Sequence, residues 1–393
     1  MQCDSASEPS RMSFGFASRL AGLYAAIFVM GGIHLPFFPL WLKATGLDAG
    51  QIGLVLAVPM IVRIMAVPLA TRVADRRDTL REAILVAALI SVAGYLLVGL
   101  ASGFAAILAA FALASLAYTP VMPLVETYAL KGLTARGRAY GPVRVWGSAA
   151  FILGTFIAGL AADTIAPSHL IWLILAGTVI IAMSAATLAP LTAKPAMPHG
   201  HPAEQRLLSD PVFVAVVLGA SLIQASHATY YGFSTLAWRA QGYDGTAIAA
   251  LWALGVIAEI VLFALQARLP AFLTPVMLLI VGGLGGALRW AVMSFDPPAL
   301  MLPPLQLLHA ASFGASHLGA LMYLGRAVPA GQGATAQGYL AIALGLAMAA
   351  AMGLSGLLYE AYGAASYGAM ALAAIAGSVC ALVAHRLRRV TAL

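Results

Sequence analysis

LTAKPAMPHGHPAEQRLLSD, residues 191–210, is the longest polar stretch in the chain. Pro195, Pro198 and Pro202, with Lys194, Glu204, Arg206 and Asp210, exclude a continuous apolar helix, so the segment reads as a linker. On its N-terminal side lie apolar runs near residues 17–42, 51–71, 83–100, 104–129, 140–163 and 168–190. On its C-terminal side lie runs near 211–238, 245–267, 272–293, 299–325, 335–360 and 364–385. Each is long enough for a helix of about 20 residues, the length that crosses a bilayer. The pattern predicts an all-α polytopic membrane protein with 12 transmembrane helices in two six-helix bundles. The expected divisions are a tail at 1–16, a bundle at 17–190, the linker at 191–210, a bundle at 211–386 and a tail at 387–393.

Composition requires the same solvent. A chain that is 62% hydrophobic with mean hydropathy +0.94 carries more apolar surface than a soluble domain can bury. The net charge of +7 could suggest nucleic acid, but the basic residues are scattered singly over many loops. With the N-terminus inside, sixteen Lys and Arg residues fall in cytoplasmic loops and tails, and only Lys43 and Arg239 fall outside. That asymmetry follows the positive-inside rule and predicts a multi-pass membrane protein with both termini cytoplasmic. The first apolar run is too long for a cleaved signal peptide and reads as a retained span. Cys3 and Cys380 offer neither metal-ligand spacing nor a disulfide framework. Trp41, Trp238 and Trp290 fall near outer ends, where an aromatic belt is expected. Prolines at 36 and 39, 59 and 68, 120 and 123, and 303 and 304 are expected to kink or interrupt spans 1, 2, 4 and 10. Gly345, Ala349 and Gly353 form a small-residue stripe for close helix packing.

Charge is scarce, with 21 Lys and Arg and 14 Asp and Glu, and most of it lies between the apolar runs. Arg63, Glu126, Arg144, Glu259 and Arg289 instead lie within or at the edges of those runs, together with His227, His309 and His317. Ionisable groups in hydrocarbon are costly and turn toward partners or a wet cavity. Helical spacing gathers them into stripes: His34, Phe38 and Trp41; Arg144, Ser148, Phe151 and Thr155; Gln224, His227, Tyr231 and Ser234; and His309, Ser312, Phe313, Ser316 and His317. Each residue also has a structural reading. Glu126 and Arg144 can close helix ends by pairing with Lys131 and Arg138, the histidines can join helices by hydrogen bonds, and Arg63 can bond to carbonyls.

Two six-helix halves with these loops resemble the major facilitator superfamily. Segment 71–78, TRVADRRD, keeps Asp75 and Arg76 of that superfamily's G-x-x-x-D-[RK]-x-G-[RK]-[RK] gating-loop motif but lacks both glycines. Segment 34–42, HLPFFPLWL, is similar to the P-F-F-P-[IL]-W-L of lactose permease and its relatives, and the likeness extends to Glu126, Arg144, Glu259, Arg289 and His309. Ser312 stands where that permease has a proton-carrying carboxylate, and Phe151 where it has a sugar-stacking tryptophan. The phrases YGPVRVWGS at 140–148 and LHAASFGASHL at 308–318 resemble the 3-phenylpropionic acid transporter branch.

The resemblance implies pseudo-symmetric bundles and a proton-coupled symporter importing a small organic solute such as an aromatic carboxylate. It places the chain in the bacterial inner membrane and assigns Glu126, Arg144 and Phe151 to substrate and Glu259, Arg289 and His309 to proton coupling, while the stripes add His34 and Tyr231 to the expected substrate site. Arg63, His227 and His317 would line the cavity without an assigned role. The expected partners are a small molecule and membrane lipid, with no nucleic acid, no metal, no cofactor beyond a coupling proton, and a monomeric state. A sugar or nucleoside symporter and an efflux pump are the alternatives within transport. An intramembrane enzyme is disfavoured because the sequence holds no H-E-x-x-H or G-x-S-x-G motif.

Overall fold

The structure is a computed structural model that describes residues 10–191, 207–329 and 332–391. Most of the linker, Cys3 and the ends of both tails lie outside the described residues. Among the described residues, ten helical segments are long and apolar enough to cross a membrane. One of these, Thr335–Leu387, turns at Gly363 and contains two antiparallel helices. The tenth span, interrupted by a π-helical turn, completes the set of twelve crossings.

The N-terminal half comprises α1 (Ser10–Ala44), α2 (Ala49–Arg77), α3 (Leu80–Leu100), α4 (Phe104–Tyr118), α5 (Val121–Thr134), α6 (Gly141–Thr164) and α7 (Leu170–Ala186). The C-terminal half comprises α8 (Pro211–Ala225), α9 (Ala228–Ala240), α10 (Gly245–Leu265), α11 (Pro275–Met293), α12 (Leu302–Leu307), α13 (Ser316–Ala327), α14 (Gly333–Tyr362) and α15 (Tyr367–Thr391). Span 4 is α4 and α5, span 7 is α8 and α9, and span 10 is α12, a π-helical turn at Ala310–Ala315, and α13.

The proline expectation holds in part. α1 runs unbroken through Pro36 and Pro39, and α2 through Pro59 and Pro68, whereas Pro120 separates α4 from α5 and Pro303 sits in the first turn of α12. The break in span 7 contains no proline. There the Ser226 hydroxyl donates to the Ile223 carbonyl at 2.6 Å, and the His227 ring competes for the carbonyls of Ile223 and Gln224. Side chains that capture backbone carbonyls in this way offer the chain an alternative to helix continuation.

The aromatic-belt expectation is corrected. Trp41, Trp238 and Trp290 are at most 2% exposed. Their positions near span ends are internal because the Trp41 indole donates to the Ser168 carbonyl at 3.1 Å and that of Trp290 to the Ser226 hydroxyl at 3.0 Å. Trp146 and Trp172 are the exposed tryptophans among the described residues.

The halves meet where α2 packs against α14, α6 against α10 and α1 against α9. These contacts concentrate at the end of the bundle away from both termini, here called the distal end. Glycine allows the approach: a Cβ at Gly159 would strike the Gly245 carbonyl, one at Gly245 the Gly159 carbonyl, and one at Gly356 the backbone of Ala49 and Gly53. The predicted stripe lies on the same seam, with Gly345 against Met60 and Ile64 and Gly353 against Leu54, but Gly53 and Gly356 make the tighter contact.

Candidate functional site

α6 and α10 run antiparallel across the interface between the halves, and their register is fixed where Gly159 meets Gly245. Arg144 lies fifteen residues before Gly159, and Glu259 lies fourteen after Gly245, so the two charges come level on facing helices. The Arg144 side chain is partly buried and turns toward α1. Its guanidinium lies over the Phe28 ring, 4.2 Å from the centroid, and 5.9 Å from that of Tyr24. Cation–π contact of this kind holds a guanidinium without neutralising it. No Glu126–Arg144 ion pair occurs among the described residues, and the contacts that hold the arginine are with the two rings. Phe151 packs at the contact of α6 with Gly31 and Gly32 of α1.

A second cluster lies inside the C-terminal half. Arg289 on α11 is completely buried. It donates from Nη2 to Gln306 Oε1 at 2.6 Å and from Nη1 to His309 Nδ1 at 3.1 Å, and its guanidinium sits 4.5 Å from the ring centroids of both Tyr230 and Trp290. Arginine has only donors, so His309 Nδ1 accepts and the ring proton rests on Nε2. That nitrogen faces Glu259 Oε2 at 3.6 Å. Glu259, His309 and Arg289 are thus brought into one chain, with Glu259 at its more exposed end, its side chain being 22% exposed.

His227 stands beside this chain, its ring 5.5 Å from that of His309. Its Nδ1 faces two carbonyls, which only accept, so Nδ1 carries the proton and Nε2 receives the Ser312 hydroxyl at 3.1 Å. Gln224 donates to Ser316 Oγ at 2.9 Å one turn further on. The single stripe expected on span 10 is therefore two ridges. His309, Phe313 and His317 form a stacked ladder, while Ser312 and Ser316 face span 7. The π-helical turn separates them, as such turns re-aim side chains without ending the helix.

The other expected residues are more dispersed. Tyr231 stacks against His227 and Trp252. His34 packs within the N-terminal half against Phe38, Phe111 and Tyr95, with Nε2 buried and unpartnered. Arg63 is half-buried on the α2 face opposite the exposed Ile61, Met65 and Leu69. Asp75 and Arg76 are exposed at the end of α2, and Asp75 pairs with Lys131 of the same half at 3.3 Å. Tyr24, Phe28, Tyr230 and Gln306 were absent from the expected set. Tyr24 and Phe28 repeat at helical spacing on span 1, and Gln306 lies one turn before His309, signals that the stripe argument could have used.

Comparison with known proteins agrees with this architecture. Residues 17–368 match the model of the MFS_1 like family. A protein of Escherichia coli (strain K12) named "Probable 3-phenylpropionic acid transporter" is 30% identical over 365 residues, covering 90% of this chain and 93% of that protein. The maltose permease of Geobacillus stearothermophilus is 27% identical over 321 residues, covering 78% of each. Among solved structures, a mutant of the nucleoside transporter NupG superposes with a TM-score of 0.82 at 17% identity over 94% of this chain and 99% of that one. A bacterial homologue of the lysosomal transporter Spinster, in an inward-facing and occupied conformation, gives 0.74 at 16% identity over 97% and 98%.

Proposed function

The chain belongs to the MFS_1 like family of membrane transporters, which are not enzymes, and from that membership we propose that it is a proton-coupled symporter importing a small organic anion. An aromatic carboxylate of the 3-phenylpropionate kind is the favoured substrate, a reading supported by the relative of that name. The observation that supports the proposal is that Arg144, held over the Phe28 ring, comes level with Glu259 on the facing helices α6 and α10.

A substrate carboxylate occupies the Arg144 guanidinium through two parallel hydrogen bonds, with Phe28 and Tyr24 holding the arginine in place. Glu259 then loses its cross-interface counter-charge, and the coupling proton takes the place of that charge at its carboxylate. Anion and proton therefore load together. His309, its tautomer fixed by Arg289, presents Nε2–H to Glu259 and orients the carboxyl that carries the proton. Arg63, Arg144 and Arg289 against Glu126 and Glu259 leave the membrane-embedded charges at +1, which favours an anionic cargo.

With both termini cytoplasmic, the closed distal end is the outer one, and the site opens inward. Release follows toward the cytoplasm, and one half rocks on the other around a midplane site. Asp75 and Arg76 serve the inner gate in the alternate state, and the unit of transport is the monomer.

Uptake of labelled 3-phenylpropionate into proteoliposomes under an inward proton gradient tests the proposal. Proton movement should accompany uptake, and aromatic acids should compete where sugars and nucleosides do not. Competition by maltosides alone would favour a sugar symporter, the second reading that the maltose permease relative supports.

A further inference from the structure

Among the described residues, two carboxylates cross from one half to the other, and each meets the first turn of a helix. Asp163, at the end of α6, accepts from Gly245 N at 2.6 Å and Arg239 Nη1 at 2.7 Å through Oδ1, and from Thr246 N at 3.1 Å and Thr246 Oγ1 at 3.3 Å through Oδ2. Arg239 also donates to the Ala162 carbonyl at 2.6 Å. Glu360, near the end of α14, accepts from Gly50 N at 3.1 Å in the first turn of α2. Both receiving helices carry their own aspartate N-caps, Asp244 bonding Ala247 N and Asp48 bonding Gln51 N. Each crossing carboxylate also lies four residues after the glycine that permits close approach, Gly159 before Asp163 and Gly356 before Glu360.

We propose that these are two copies of one latch, a G-x-x-x-[DE] helix end seated on the N-terminal turn of the opposing half's Asp-capped helix, and that together they hold the distal end shut. An N-terminal turn leaves amide donors unsatisfied and carries partial positive charge, so a carboxylate from the opposite half is bound there only while the halves are together. The latch is unequal. Asp163 holds two amides, a hydroxyl and a guanidinium, whereas Glu360 holds one amide, so Asp163 supplies most of the closure. Arg239 reinforces it, but the helix turn supplies three of Asp163's four donors, so the latch survives loss of the arginine.

The proposal concerns the closed end alone and requires no substrate. It is tested by pulsed electron spin resonance on the full-length protein in lipid nanodiscs, with Cys3→Ser and Cys380→Ser and nitroxides at Ala166→Cys and Phe295→Cys, which lie on distal loops of opposite halves. The unsubstituted background should show one short-distance population. Asp163→Ala should add a longer-distance population, Glu360→Ala a smaller one, and the double substitution the largest, while Arg239→Gln should stay near the background. Where the alanine variants fail to fold, Asp163→Asn/Glu360→Gln carries the test with a smaller shift. Superimposable distributions in the double variant overturn the latch, and opening by Arg239→Gln equal to that of Asp163→Ala assigns closure to a plain ion pair instead.

Discussion

Arg289 Nη1 lies 3.1 Å from His309 Nδ1, and this bond decides where the histidine proton sits. The arginine has no carboxylate within 4 Å among the described residues, so its charge is held by Gln306, the ring nitrogen and two aromatic faces. A buried cation with neutral partners is sensitive to the loss of any one of them.

Gln306→Leu keeps side-chain volume but removes the acceptor of Arg289 Nη2. A buried donor left unpaired costs about 1–3 kcal/mol, more when charged. Thermal unfolding of the purified protein in detergent should show a lower midpoint than Leu307→Ala, a change at an exposed residue.

Glu259→Gln keeps the hydrogen-bonding shape and removes the titrating group. Under the proposed mechanism, proteoliposomes carrying it should exchange substrate across the membrane yet fail to concentrate it against an imposed pH gradient. Uphill uptake equal to that of the unsubstituted protein would reject Glu259 as the carrier.

Arg144→Lys replaces a planar fork with a point charge and withdraws the surface that packs on Phe28. Losing one charge-assisted hydrogen bond costs about 1.5–3 kcal/mol, roughly 10- to 150-fold in affinity. Binding of 3-phenylpropionate, followed by tryptophan fluorescence or calorimetry, should weaken by that factor. Unchanged affinity would remove Arg144 from recognition.

Gly159→Val places a branched side chain where the Gly245 carbonyl already sits. Relief requires the halves to separate, so a cysteine at Tyr243 should react faster with a membrane-impermeant maleimide applied from the distal side. Reactivity equal to that of the Gly159 parent would mean the seam relaxes without opening.

Much of the architecture was legible because bilayer thickness sets helix length: two sets of six apolar runs around 191–210 could hardly be packed any other way. The charged residues were legible as a group, since hydrocarbon makes each of them conspicuous. What the chain alone could not show was pairing across the interface. The resemblance assigned Glu126 and Arg144 to substrate, but the level shared by Arg144 and Glu259 depends on a glycine contact between helices about 100 residues apart in sequence. Span 10 misled for a local reason: α-helical spacing put His309 and Ser312 on one face, and the π-helical turn gives them different neighbours. The tryptophans misled because position along a span says nothing about which way a ring points, and protein acceptors claimed two of their indole N–H groups.

Under the proposed rocking, the glycine contact between α6 and α10 is the far end of a long arm. Glu259 lies about 21 Å along its helix from Gly245 at 1.5 Å per residue. A rotation of one half by about 15° about the level of the charges parts the glycines by about 5 Å, a full helical turn. Leverage of this kind turns a small tilt at the midplane into a wide opening at the distal seam, and the residues that must part cleanly there have no side chain to interlock.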